Sequence, residues 1–426
     1  MRKKKEDIFD AKISRRQVLK GALAGAVAAS TVHMWPKILR GAEKVLDIGV
    51  PSPASGNYAD MGSAERKGME LAMREFNAKG GVLGHKVEML VEDDQTNPMI
   101  AARKARALIQ RDKVKFLIGG VSSGTVVAVG SVAAIEKVIY VGTNGNADEI
   151  TGEKCNRYVF RVPGEIGSMA RLCAEYLIKN VGKRWFLFTH DYAAGHSAAN
   201  AFKKISAKEG GTVLGEELIP MGTPDFSPFL LKVRQAKPEV LIANVWGTDG
   251  INLLKQGYEF GITKEFPIAS TPKDYLDVWS VGPEISRGYG VTEWYHYAPH
   301  PGGKEFVDRF QKVFISSLVP VPDGSCYCGY VGMKALLLAI EKAGTTTEVP
   351  KVVEAFEHLK FFEPVNNSDV WIRDWDHQFM MNCYMVRAKV PKEMKDRTDF
   401  FEVLKTASNA DYSVSKAESH CKMGPL

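Results

Sequence analysis

The feature that most constrains this chain is a rhythm. From residue 45 onward, short apolar runs alternate with longer segments whose apolar residues recur at helical spacing. In a first block, strands are expected over Val45–Val50, Val87–Val91, Phe116–Gly119 and Val138–Val141. Helices are expected between them, over Ala64–Ala78, Ile100–Gln110 and Thr125–Glu136. The first carries Met69, Leu71-Ala72-Met73 and Phe76 and stops at Gly80-Gly81. A second block repeats the pattern, with strands over Trp185–Thr189, Val213–Leu218 and Val240–Ala243. Its helices are Met169–Asn180, Ser197–Glu209, Phe229–Ala236 and Asp249–Tyr258. Such alternation implies parallel sheets covered on both faces. Two blocks of domain size imply an α/β fold of two doubly wound parallel-sheet lobes.

The C-terminal third breaks the rhythm. Glu305–Leu318, Gly329–Ala343 and Val349–Leu359 read as helices, and Val370–Arg373 and Met380–Arg387 as strands. These pieces make no sheet of their own. They are expected to return to the two lobes, so that several chain crossings form a hinge. The expected division is 43–163 with 295–368 for the first lobe and 164–294 with 369–390 for the second. Residues 391–426 are polar and weakly patterned and read as a tail.

Charge is unevenly spread. The net +6 comes from the leader: residues 1–42 hold ten Lys/Arg and three acids, which leaves a body with 46 bases and 47 acids. A near-neutral body gives no electrostatic reason to expect nucleic acid as a partner. After residue 50 no apolar run reaches the roughly 20 residues of a membrane span, which excludes a polytopic membrane protein.

The leader itself runs from basic residues through Ser14-Arg15-Arg16-Gln17-Val18-Leu19-Lys20 to the small, apolar Gly21–Ala29. This order is that of a secretory signal. The arginine pair before a mild core resembles a twin-arginine export signal, which is an address and not an anchor. Val18 stands where that motif has an aromatic. Cleavage is expected near Ala42, giving a periplasmic protein. The six cysteines (155, 173, 326, 328, 383 and 421) all lie in the exported part, where disulfides are permitted and buried free thiols equally so. Cys326-x-Cys328 is too short for the usual zinc or redox spacing. The nine His are scattered, and no G-x-x-x-x-G-K-[ST] or G-x-G-x-x-G run occurs, so no metal or cofactor is expected.

Candidate site residues lie where strands end. Gly120-Val121-Ser122-Ser123-Gly124 follows a strand and precedes a helix. As G-x-S-x-G it has the context of a hydrolase nucleophile elbow, with Ser122 attacking and His377, near Asp374 and Asp376, as its partner. No donor loop of the HGGG kind precedes it. Read as a binding loop, the same turn offers Ser122 and Ser123 at a helix N-terminus, where backbone N–H groups attract a carboxylate. Thr143-Asn144-Gly145-Asn146 stands beyond the next strand, again at a carboxyl end, where open α/β sheets hold ligands; its Asn and Gly also suit a plain turn. His190–Ser197, with Tyr192, follows the first strand of the second block, and either forms a cleft loop or caps the next helix through Asp191 or Ser197. Trp246, flanked by Asn244 and Gly247, reads as a flat wall for an apolar ligand.

Ile48-Gly49-Val50-Pro51 leading to Ser55-Gly56, with Met61-Gly62 and Arg66-Lys67-Gly68, resembles the opening of branched-chain amino-acid type periplasmic substrate-binding proteins. Asn77–Val87 and Glu92-Asp93-Asp94 resemble that family's most specific stretch, and Gly119–Ser123, Tyr158–Arg161 and Asp191–His196 match in order and spacing. The resemblance spans about residues 45–390. It implies a type I periplasmic binding protein: a non-enzymatic protein whose lobes close on a small ligand and deliver it to an ABC permease in the inner membrane. It implies that Ser122 or Ser123 and Asn144 to Asn146 hold a ligand carboxylate. It places Met61, with Tyr58 nearby, at a first-lobe aromatic position, and Ala194 and Trp246 at second-lobe ones. The acid that pairs a ligand amine falls near Thr271, where no acid stands. Asp249 or Asp274 could replace it; otherwise the ligand is a carboxylate or amide without an amine, since a buried ammonium lacking a counter-charge is costly. The alternatives are a secreted α/β hydrolase using Ser122 and a sensory ligand-binding protein.

Overall fold

The first block folds as its alternation requires. It comprises β1 (Val45–Ser52), α1 (Ala59–Ala78), β2 (Lys86–Asp93), α2 (Pro98–Gln110), β3 (Phe116–Gly119), α3 (Ser123–Glu136), β4 (Ile139–Gly142) and β5 (Val159–Arg161). These strands form a parallel sheet in the order β2-β1-β3-β4-β5. The short strands β3 and β4 are buried along their whole length, as strands covered by helices on both faces must be. This is a computed structural model, and residues 44–426 are described. The leader, with its arginine pair and expected cleavage point, lies outside the described residues. Among them no helix is long and apolar enough to cross a membrane.

The second block comprises α4 (Ile166–Asn180), β6 (Arg184–His190), α5 (Ala193–Lys208), β7 (Thr212–Ile219), α6 (Ser227–Ala236), β8 (Val240–Asn244) and α7 (Thr248–Glu259). It continues through α8 (Ile262–Glu265), β9 (Ile268–Ser270), α9 (Tyr275–Val281) and β10 (Tyr289–Thr292). Its strands run β7-β6-β8-β9-β10, all parallel, which repeats the order of the first sheet. Both sheets therefore have a topological switch point, between β1 and β3 and between β6 and β8.

Three helices follow: α10 (Gly303–Val313), α11 (Gly324–Ala343) and α12 (Val349–Glu357). α11 packs along α1 so closely that a Cβ on Gly68 would stand 1.8 Å from the Cys326 carbonyl oxygen, so a side chain there would push the two helices apart. The helix expected over Glu305–Leu318 ends at Val313. Ile315 and Leu318 are exposed, and Pro320 and Pro322 rule out a continuing helix.

A small antiparallel sheet follows, made of β11 (Lys360–Glu363), β12 (Ser368–Ile372) and β13 (Phe379–Met380). Gln378 bridges to Arg161 of the first sheet. Only after β13 does the chain return to the second sheet. There β14 (Asn382–Ala388) pairs antiparallel with β10, and β15 (Phe401–Ser408) pairs antiparallel with β14. The stretch read as a tail is therefore in part an edge strand. Its alternation is weak because only Phe401 and Ala407 are buried.

The chain passes between the sheets after β5, after β10 and between β13 and β14. A disulfide joining Cys155, before β5, to Cys421, beyond β15, adds a covalent tie. The other four cysteines are free and buried. Near these crossings Arg161 is wholly buried, and its guanidinium donates to Gln378, to Thr151 and to the carbonyls of Asn146 and Ala147. Glu165 pairs with Arg373 at 2.8 Å, so this charge too is compensated.

Candidate functional site

The carboxyl ends of the two sheets face one another across a shared cavity. The first sheet contributes Tyr58 and Met61 from beyond β1, Val121 and Ser123 from beyond β3, and Asn144 and Asn146 from beyond β4. The second contributes Tyr192 and Ala194 from beyond β6 and Trp246 from beyond β8. Pro272, Lys273 and Asp274 follow β9, and Thr292 and Glu293 stand at the end of β10. Gly324 and Ser325, which open α11, complete the lining with Ile166 and Tyr275.

The first wall is organised by one buried carboxylate. Glu65, from α1, accepts from the Ser52 hydroxyl (2.6 Å), the Thr143 hydroxyl (2.5 Å), the Asn144 amide (3.0 Å) and the Gly120 N–H (3.4 Å). It thereby ties together the ends of β1, β3 and β4. Burial raises its carboxyl above the usual range, and these donors oppose that shift. Ser123 Oγ accepts from Ala147 N–H at 3.1 Å, which leaves its own proton free to donate. α3 has no side-chain cap, so its first N–H groups are also available. Hydroxyl and helix terminus together suit a carboxylate.

Asn146 differs from expectation. Its amide nitrogen donates to Gly164 O (3.0 Å) and Glu293 Oε1 (3.4 Å), so both donors are committed and it can offer a ligand only its carbonyl oxygen. That oxygen suits an ammonium or a hydroxyl, not a carboxylate.

The second wall is aromatic and ionisable. Trp246 and Tyr192 meet edge to face with centroids 6.2 Å apart. The Tyr58 hydroxyl reaches that of Tyr192 at 3.1 Å from the opposite wall. Behind them His190 Nε2 lies 3.0 Å from Asp249 Oδ2, which also accepts from Gly222 N–H. Deeper, burial pushes the Glu293 carboxyl up to about 7. Burial and the neighbouring carboxylates of Asp277, Asp323 and Glu293 hold Asp274 well above its usual range. The Lys273 ammonium, lowered to about 8 by burial, donates to Ser286 at 3.1 Å.

Of the sequence-derived candidates, Tyr58, Met61, Ser123, Asn144, Asn146, Tyr192, Ala194 and Trp246 converge on this cavity, and Ser122 and Thr271 do not line it. Ser122 is the residue before α3 and is buried beside its neighbour. Thr271 is buried under the second sheet, its N–H 3.4 Å from Asn244 Oδ1, and its successors Pro272 to Asp274 take its place in the lining. Asp249 is absent from the lining, whereas Asp274 is present. His377 stacks on Phe160 and meets Glu357 Oε1 at 2.8 Å, so it belongs to the packing around β5 and not to the cavity holding Ser123. Sequence reasoning missed Glu293 and Lys273. The only available signal was an acid directly after the run Tyr289–Thr292, in a stretch where no strand was expected.

The model of the periplasmic binding protein family matches residues 45–396. A Leu/Ile/Val-binding protein homolog of Brucella abortus is 29% identical over 359 residues, covering 80% of this chain and 86% of that protein. A periplasmic binding protein from Burkholderia mallei superimposes with a TM-score of 0.82 at 29% identity, covering 89% of this chain and 99% of the other. An amino acid ABC transporter substrate-binding protein from Pseudomonas fluorescens superimposes with a TM-score of 0.79 at 25% identity, over 89% and 99% of the two chains.

Proposed function

The chain belongs to the periplasmic binding protein family, of the branched-chain amino-acid type, and from that premise we propose that it binds an α-amino acid with an apolar side chain for an ABC importer. The observation that carries the reading is the chemistry of the two walls. Ser123 and the start of α3 offer donors to a carboxylate, and Asp274, Glu293 and the Asn146 carbonyl offer acceptors to an ammonium. Trp246, Tyr192, Tyr58 and Met61 supply apolar surface for the side chain between them. Asp274 and Glu293 stand in for the acid not found at Thr271, and an ammonium beside them would favour their ionised forms and so gain its counter-charge. Ligand binding is an equilibrium of opening and closing with no bond made or broken, and the closed form gains from contacts that exist only when both walls meet the solute.

One observation favours a second ligand class. Burial raises the carboxyls of Asp274 and Glu293, and a protonated pair would tolerate an acid without an amine. A thermal-shift panel of leucine, isoleucine, valine, phenylalanine, 4-methylpentanoate and benzoate separates the two. Amino acids are expected to raise the melting temperature by mass action; a response to the plain acids alone would favour the second class, and silence throughout would defeat both.

The leader supports export by the twin-arginine route. Replacing Arg15 and Arg16 together by Lys is expected to retain the protein in the cytoplasm; undiminished periplasmic protein would refute that route. For the body, we assign 43–163 with 295–381 to the first lobe and 164–294 with 382–408 to the second.

A further inference from the structure

We propose that Asn57 is a closure residue, which caps a helix of the opposite lobe and holds the two walls together without touching the ligand. Asn57 lies between β1 and α1, on the first lobe. Helix α7 of the second lobe starts after Gly247, which has no side chain to serve as a cap. The first N–H groups of α7 find their partners across the cleft instead. Thr248 N–H donates to Asn57 O at 3.2 Å, and Asp249 N–H donates to Asn57 Oδ1 at 3.3 Å. The Thr248 hydroxyl adds a bond to the same carbonyl at 3.4 Å, and Asn57 Nδ2 donates to Trp246 O at 3.4 Å.

Gly247 fits this contact. Its φ is +66°, and a Cβ there would stand 2.6 Å from Asn57 O and 2.8 Å from the Tyr58 ring. The position needs glycine both for its backbone and for the approach of the opposite lobe. Asn57 does not line the main cavity, but its neighbour Tyr58 does, and so does Trp246. Parting the lobes therefore breaks these four bonds and separates two ligand-lining aromatics together. In the open form the same N–H groups are hydrated, so the bonds count only toward closure and slow ligand release.

The inference rests on the binding reading above, and the test separates the two. Asn57→Ala removes Oδ1 and Nδ2. It is expected to weaken the affinity for leucine about fivefold, through a faster off-rate at an unchanged on-rate. Asn57→Asp keeps the capping oxygen and is expected to stay within about twofold of wild type. Neither variant is expected to move the melting temperature of the ligand-free protein, whereas a merely structural asparagine would lower it with and without ligand. An unchanged off-rate in Asn57→Ala, or an equal loss of stability in both states, would overturn the proposal. Mild oxidation of an Asn57→Cys, Thr248→Cys pair reports on the contact independently of any ligand. Cross-linking is expected, and its failure in leucine-treated and untreated protein alike would overturn the cap. A wild-type protein silent to the whole solute panel would defeat the binding reading, while the cross-link still decides the contact.

Discussion

The two walls of the cleft stand on sheets of one strand order but handle buried polar groups in opposite ways. On the first wall the carboxylate nearest the cavity is answered from within: Glu65 receives four donors, and the loops it gathers are fixed before any ligand arrives. On the second wall Asp274, Glu293 and Lys273 line the cavity with few partners of their own, and burial displaces all three from their ordinary titration. The difference teaches where stability and affinity reside. The first wall contributes to the folded state, whereas the second holds back interactions that only a ligand completes.

Substitutions that touch one wall at a time should break this contrast if it is wrong. The largest effect is expected for Glu65→Ala, which strands the Ser52, Thr143 and Asn144 donors in the interior. It should cost about 3–4 kcal/mol in urea unfolding of the ligand-free protein and also weaken binding. Trp246→Ala should lower affinity about 30- to 100-fold by calorimetry, since it removes a large buried face from the ligand. Its effect on binding should exceed its effect on unfolding; the reverse would make Trp246 core and not wall.

Two smaller effects sharpen the comparison. Glu293 titrates near 7 when folded, above its ordinary range, so the folded state holds its proton more tightly than the unfolded chain. The stability this group supplies is complete below its unfolded pKa of about 4.3 and is lost as pH rises through about 7. Glu293→Gln should therefore flatten the fall in stability between pH 5 and 8 measured by urea unfolding, leaving a variant at least as stable as wild type at pH 8. Finally, an ammonium placed beside Glu293 favours its ionised form, so leucine binding near pH 6.5 should release a fraction of a proton. That release would appear as a dependence of the binding heat on the buffer's ionisation enthalpy, and Glu293→Gln should reduce it.

Much of this was legible in the sequence because repeated alternation is a strong signal. The strands and helices expected from the alternation lie within five residues of their observed bounds, though β5, α8, β9, α9 and β10 are not among them, and Ser123, Asn144, Tyr192 and Trp246 stand out simply by lying beyond strand ends. What was not legible has physical reasons. β9 (Ile-Ala-Ser) and β10 (Tyr-Gly-Val-Thr) are short and broken by small or polar residues, unlike the equally short but continuous apolar runs Phe116-Leu117-Ile118 and Ile139-Tyr140-Val141 of β3 and β4. Glu293 was hidden with β10, and Asp274 was named only as a substitute for Thr271. β15 hides because an edge strand beside an antiparallel neighbour buries little. Glu65 sits in the charged run Glu65-Arg66-Lys67, which reads as a solvated helix face. Its burial follows from Ser52, Gly120 and Thr143, which only the folded chain brings to it. Asn57 is similarly obscure, since its partners lie about 190 residues away on the other lobe.

The most direct test is a calorimetric titration of the wild-type protein with leucine and with 4-methylpentanoate, which differ by the amine. Walls that hold a carboxylate on one side and an ammonium on the other require one-to-one binding of leucine and at least tenfold weaker binding of its deaminated analogue. Equal or tighter binding of the analogue would show that Asp274 and Glu293 do not face an ammonium, and would contradict the account.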